Sequence, residues 1–165
     1  MSVFGIPRIF INMNKKENYI NTKANAEEKA MNWLMKKTPG MTYERESYEY
    51  SAFDGVMTQD NTKYLTEIKV RKKYSYEVMM TLGGPMLEFK KLRNIVKWRE
   101  MNNNYDPVRY LVFFKDRLVI YNLNMDPNSY NWQMIYGNDN DYDRNKIWKF
   151  VHYLQENQII KTIKY

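Results

Sequence analysis

Apolar positions along the chain follow two kinds of pattern. Over 25–37 they recur three and four apart, with Ala30, Met31, Trp33 and Leu34 forming a stripe, Asn25 and Glu28 in capping-box spacing before it and Pro39-Gly40 after it. This predicts a helix. Segments 48–58 and 64–70 are instead rich in aromatic and β-branched residues and flank Gln59-Asp60-Asn61-Thr62, turn chemistry that predicts a β-hairpin. Helical spacing returns after Gly83-Gly84-Pro85, where Leu87, Leu92, Ile95 and Trp98 predict a helix over about 86–101 with a basic opposite face, stopped by Asn102-Asn103-Asn104. Two apolar runs, 108–114 and 118–123, meet at Lys115-Asp116 and read as a strand pair. Segment 126–143 is polar and loop-like apart from a short strand candidate at 132–135. Ile147, Phe150, Val151 and Leu154 have helical spacing and predict a last helix over 146–155, followed by a terminal strand over 158–164. Residues 1–24 show no clean period.

The order helix, hairpin, helix, strands, helix is that of a mixed α/β domain, and no repeat or long linker divides it. At 165 residues and 44% hydrophobic, with few Gly and Pro, the chain is large enough for one packed core and is neither collagen-like nor wholly disordered. There is no Cys and a single His, His152, which excludes a disulfide framework and thiolate metal sites and makes a Ser-His-Asp triad or a histidine zinc site hard to build. Any metal chemistry falls to carboxylates. The apolar stretch 3–13 is broken by Pro7 and Arg8 and is far short of the ~20 residues of a membrane span, so a soluble, cytoplasmic protein without a membrane partner is expected. Abundant Lys, Asn, Tyr and Ile are what A/T-rich codons write, pointing to an A/T-rich bacterium or its phage, in the latter case with the host cytoplasm as location.

The formal net charge is +7, and its position says more than its size. Between Lys63 and Arg99 ten basic residues stand against Glu67, Glu77 and Glu88, so this segment alone carries +7 and the remainder nets to zero. So basic a segment suits a polyanion, although a solvated charged face would read the same way.

Three Glu-x-Lys triplets occur, and two of them, at Glu27 and Glu88, lie on predicted helices where residues two apart diverge. The third, Glu67-Ile68-Lys69, lies on a predicted strand, where period two puts Glu67 and Lys69 on one face. A turn at Asp60-Asn61 pairs residues whose numbers add to 121, which sets Asp54 across from Glu67, with Gly55 consistent with a bulge. Carboxylates so placed repel each other unless a cation lies between them. Hard oxygens without His or Cys select Mg²⁺, with Mn²⁺ able to substitute; such an ion polarises a phosphate and acidifies a bound water. The same three side chains would equally make an exposed salt-bridge cluster, and burial and charge pull the Lys69 protonation state in opposite directions.

Phe53-Asp54-Gly55-Val56-Met57, a turn, and Tyr64-Leu65-Thr66-Glu67-Ile68-Lys69-Val70-Arg71 resemble the active-site hairpin of the PD-(D/E)XK nuclease superfamily. The resemblance extends over about 25–123, where the α-β-β-α-β order matches. It implies a restriction-endonuclease-like core, a mixed central β-sheet flanked by helices, within one nuclease-like domain over 1–165 that carries family-specific extensions at 1–24 and 124–165. It further implies that Asp54 and Glu67 bind the metal together with the Ile68 carbonyl, and that Lys69 serves the hydrolytic water. Glu28, or its neighbour Glu27, would add a carboxylate from the first helix, with helix capping as the competing role for Glu28. Lys91 would reach the site from the second helix, unless it is an ordinary surface lysine. Arg71, Lys72, Lys73, Lys91 and Arg93 would contact phosphates. The implied activity is metal-dependent hydrolysis of nucleic acid, with DNA the expected partner and a homodimer or larger phage assembly left open. One alternative is a non-catalytic nucleic-acid-binding or virion-associated protein that keeps the fold; another is a partner-binding protein using exposed Tyr and Trp.

Overall fold

The computed structural model describes residues 8–47, 51–138 and 145–165, with 8–16 and 19 as backbone alone. In chain order the elements are α1 (Arg8–Lys37), β1 (Thr42–Arg45), β2 (Gly55–Gln59), β3 (Thr62–Arg71), α2 (Tyr76–Thr81), β4 (Met86–Glu88), α3 (Phe89–Met101), β5 (Val108–Phe114), β6 (Arg117–Leu123), β7 (Gln133–Asn138), β8 (Lys146–Tyr153) and β9 (Ile159–Lys164), with 3₁₀ turns at Pro127–Ser129 and Glu156–Gln158. Six strands form the main sheet in the order β1-β2-β3-β5-β6-β9, and β4-β8-β7 form a smaller antiparallel sheet. Only the β3–β5 pair of the main sheet is parallel, which requires a crossover, and α2, β4 and α3 supply it.

β5 and β6 read as unbroken apolar runs because both of their faces are covered. Leu111, Phe113, Leu118 and Ile120 pack against Ala30, Met31 and Leu34 of α1, together with Met57 and Ile68. On the other face Val108, Tyr110, Val112, Phe114, Val119 and Tyr121 pack against Leu92 and Ile95 of α3. The result is a mixed α/β fold, a central mixed sheet flanked by helices, compatible with a restriction-endonuclease-like core. Among the described residues no helix is long and apolar enough to cross a membrane.

Several elements differ from what the sequence pattern predicts. α1 begins at Arg8 rather than Asn25, so Asn25 and Glu28 are exposed interior positions of a continuous helix and not its cap. No Gly or Pro interrupts 8–37, so nothing in the sequence breaks the helix ahead of the apolar stripe. Segment 86–88 is strand β4, hydrogen-bonded to β8, and α3 starts after it at Phe89. Segment 146–153 is strand β8 rather than a helix: its Ile, Trp, Phe, Val and Tyr residues suit a strand, and β7 and β4 give it partners on both sides. The short candidate at 132–135 becomes β7. The segment 48–58 contains only β2, from Gly55 onward, and 48–50 lie outside the described residues. Helix α2, capped by the Ser75 hydroxyl accepting from Val78 N–H, had no periodic signal. β9 joins the main sheet beside β6, so the C-terminal extension contributes a strand to the core sheet.

Candidate functional site

The β2–β3 hairpin sets the site. Asp60 and Asn61 both take left-handed backbone angles, φ 49° and 62°, as a two-residue hairpin turn requires, and pairing from Gln59↔Thr62 to Gly55↔Thr66 has the register the turn predicts. At the far end Asp54 N–H donates to the Thr66 carbonyl, 2.9 Å, although Thr66 is already the partner of Gly55. Two residues thus address one, a bulge. Asp54 is therefore not a plain cross-strand partner of Glu67. Its Oδ2 accepts from Ile68 N–H at 2.7 Å. The N–H and C=O of one strand residue point to the same side, so the Ile68 carbonyl also faces this end, where β2 has stopped.

Glu67 is 1% exposed and is closed by two ammonium groups, Lys69 Nζ at 3.0 Å from Oε1 and Lys91 Nζ at 2.7 Å from Oε2. Lys69 shares its strand face and Lys91 reaches across from the first turns of α3. Burial alone would push the Glu67 carboxyl up, but Lys69 and Lys91 outweigh it and hold it below its ordinary value. Burial likewise favours neutral Lys69, yet the carboxylates, Glu67 first and then Asp54, hold that amine well above its ordinary value. Asp54 lies above the usual carboxylate range, first through burial and then through the charge of Glu67.

The first helix contributes Glu27, not Glu28. Glu27 is 4% exposed and Glu28 is exposed. Glu27 Oε2 accepts from Arg45 Nη2 at 3.3 Å, while Lys23 lies 3.8 Å from Oε1; among the described residues that buried Oε1 receives no hydrogen bond. Burial, reinforced by Asp54, raises the Glu27 carboxyl to about 7, with Lys23 and Arg45 only partly offsetting. A raised carboxyl favours the folded state fully below about pH 4.5, and this contribution is lost as pH rises through 7. Glu27→Gln is therefore expected to flatten the decline in stability between pH 5 and 8, by about 2–3 kcal/mol, in urea titrations with EDTA. An unchanged pH dependence would rule out a strained Glu27.

Of the phosphate candidates, Arg71, Lys72, Lys73 and Arg93 are exposed, whereas Lys91 is committed to Glu67. Lys72 and Lys73 rest near the Tyr165 and Tyr74 rings. Sequence reasoning missed Arg45, which ties β1 to α1 through Glu27 and the Ala24 carbonyl. It also missed Tyr43, whose ring lies where a Cβ on Gly55 would be, and Tyr110, the register partner of Glu67, whose hydroxyl donates to the Met86 carbonyl. None of these three carries a local sequence signal.

Among the described residues no three His, Cys, Asp or Glu side chains converge into a ligand cluster. Mg²⁺ needs no such cluster, since it commonly takes one or two carboxylates and completes its shell with water and substrate phosphate. Asp54 and Glu67 bring carboxylate oxygens to the same stretch of β3, and Glu27 Oε1 is a buried acceptor that receives no hydrogen bond among the described residues. The donor chemistry is of the kind a hard divalent cation takes.

No family model matches the chain, and no curated protein matches it. Part of it is similar to a solved structure of Hjc, a Holliday junction resolvase from the archaeal hyperthermophile Archaeoglobus fulgidus, with a TM-score of 0.36 and 13% identity over 50% of this chain and 65% of the resolvase. The match spans less than two thirds of the resolvase's length.

Proposed function

We propose that the protein is a metal-dependent nuclease of the PD-(D/E)XK type, hydrolysing phosphodiester bonds in nucleic acid, with DNA as the expected substrate. The observation that supports this reading is the meeting, where β2 ends against β3, of a buried carboxylate, Glu67, and a half-buried one, Asp54, with the Lys69 ammonium.

Asp54, Glu67 and the Ile68 carbonyl would hold Mg²⁺ or Mn²⁺, with Glu27 rather than Glu28 as the helix carboxylate near it. Bound there, the ion supplies Lewis-acid polarisation of the phosphate and a more acidic water. The chain's own groups do the positioning. Lys69, paired with Glu67 at 3.0 Å, is placed to hold the attacking water and to meet the charge that develops on the phosphate oxygens. Lys91 orients Glu67 from the opposite side. Arg71, Lys72, Lys73 and Arg93 supply positive charge to flanking phosphates.

Lys69→Ala is expected to lower turnover by about 10²–10³-fold while nucleic-acid affinity stays close to wild type, because a donor used chiefly in the transition state is removed. Parallel loss of turnover and affinity would contradict that role.

A second reading is favoured by the β7–β8 ribbon. Met134 pairs with Phe150 and Tyr136 with Trp148, which puts all four on one face, 51–65% exposed. Such a face suits a component of a larger assembly, the non-catalytic or virion-associated alternative. That reading requires nucleic-acid binding without metal-dependent cutting.

A further inference from the structure

Between α1 and β3 lies a cleft of about 260 Å³ whose floor includes Glu27 and Lys69 and whose walls include Lys23 and Ala26 on the helix and Ile68 and Arg71 on the strand. Ala26 keeps the helix wall low, so the cleft opens directly beside the candidate catalytic lysine. Its two outer cations are weakly engaged. Lys23 is 42% exposed and pairs loosely with Glu27 at 3.8 Å; Arg71 is exposed, with a 3.4 Å hydrogen bond to the adjacent Val70 carbonyl. Lys91, by contrast, is held at 2.7 Å by Glu67 and has little freedom to turn outward. The cleft therefore carries two available cations, Lys23 from the helix and Arg71 from the strand, with Glu27 and Lys69 also in its lining. Its volume falls just below the ~300 Å³ lower end of ordinary ligand pockets, room for one sugar-phosphate unit and not for two paired backbones.

We propose that this cleft receives a single phosphodiester strand, with Lys23 and Arg71 gripping phosphates on either side of the bond presented to Lys69. The proposal rests on the nuclease reading and extends it: the substrate enters as one strand, and α1 is part of the nucleic-acid surface. Lys23 lies outside the basic 63–99 segment, so charge counting alone passes over it.

The test is fluorescence anisotropy of the full chain in EDTA with a labelled single-stranded DNA and the same sequence as a blunt duplex, each over a salt series. The expected result is tighter binding of the single strand. Lys23→Ala and Arg71→Ala should each weaken that binding and reduce the slope of log affinity against log salt by about 0.7. Lys164→Ala, on β9 at the far edge of the main sheet, should change neither. Preference for duplex, or an unchanged slope in Lys23→Ala while Arg71→Ala and Lys72→Ala lose theirs, overturns the cleft and leaves nucleic-acid binding standing. Absence of binding to either DNA overturns both the cleft and the reading beneath it.

Discussion

Glu67→Ala is expected to reduce metal-dependent cleavage by at least about 10³-fold, more than the loss of a single hydrogen-bond donor. The substitution removes a proposed metal ligand and also the carboxylate that holds Lys69 and Lys91 in place at 3.0 and 2.7 Å. Two ammonium groups would then face each other across the gap. Each lysine side chain is about a quarter exposed, so solvent moderates the repulsion, and the stability cost is expected at about 2 kcal/mol, below the full cost of breaking a buried pair. Initial rates with Mg²⁺ and a urea titration separate the two effects. Glu67→Gln should recover much of the packing and none of the cleavage. Wild-type rates in Glu67→Ala would remove the carboxylate from the chemistry.

Gly55→Ala is expected to cost about 3 kcal/mol, at the upper end of overpacking effects, and to lower the melting temperature by roughly 10 °C. The reason is contact rather than backbone angle. A Cβ at Gly55 would lie 2.5 Å from the Glu44 carbonyl oxygen and 2.6 Å from the Tyr43 ring, and a backbone oxygen cannot swing away. Gly55 is also the strand position directly after Asp54, so displacing it moves the carboxylate off the Ile68 N–H. Stability and cleavage should fall together in this variant, whereas Lys69→Ala should lose cleavage with a smaller loss of stability, because Lys91 still pairs with Glu67. A Gly55→Ala protein with wild-type melting would show that β1 does not press on the bulge.

The hairpin was legible because its determinants are local. Asp and Asn tolerate left-handed angles, and the two-residue turn fixes every pair back to Gly55. The bulge at Asp54 was only hinted at, since the close approach of Tyr43 that requires Gly55 comes from a strand the pattern did not predict. Glu27 is legible in the sequence: it lies three, four and seven residues before Ala30, Met31 and Leu34, and so falls within their buried stripe. The mistaken helix start at Asn25 gave Glu28 a capping role and drew the choice toward it. Segment 146–153 failed for another reason. Its spacing fits a helix as well as a strand, and the deciding factor is pairing with β4, some sixty residues earlier in the chain, as in Glu88↔Val151. Likewise the Lys91–Glu67 ion pair depends on where α3 rests against the sheet, which no local pattern encodes.

The central claim is tested most directly by incubating labelled single-stranded, duplex and four-way-junction DNA with the purified protein in Mg²⁺, Mn²⁺ or EDTA, beside Asp54→Asn. The account predicts cutting of at least one substrate with Mg²⁺ or Mn²⁺, none with EDTA, and none by the variant. Binding without cutting under every metal condition, or equal cutting by Asp54→Asn, would contradict it.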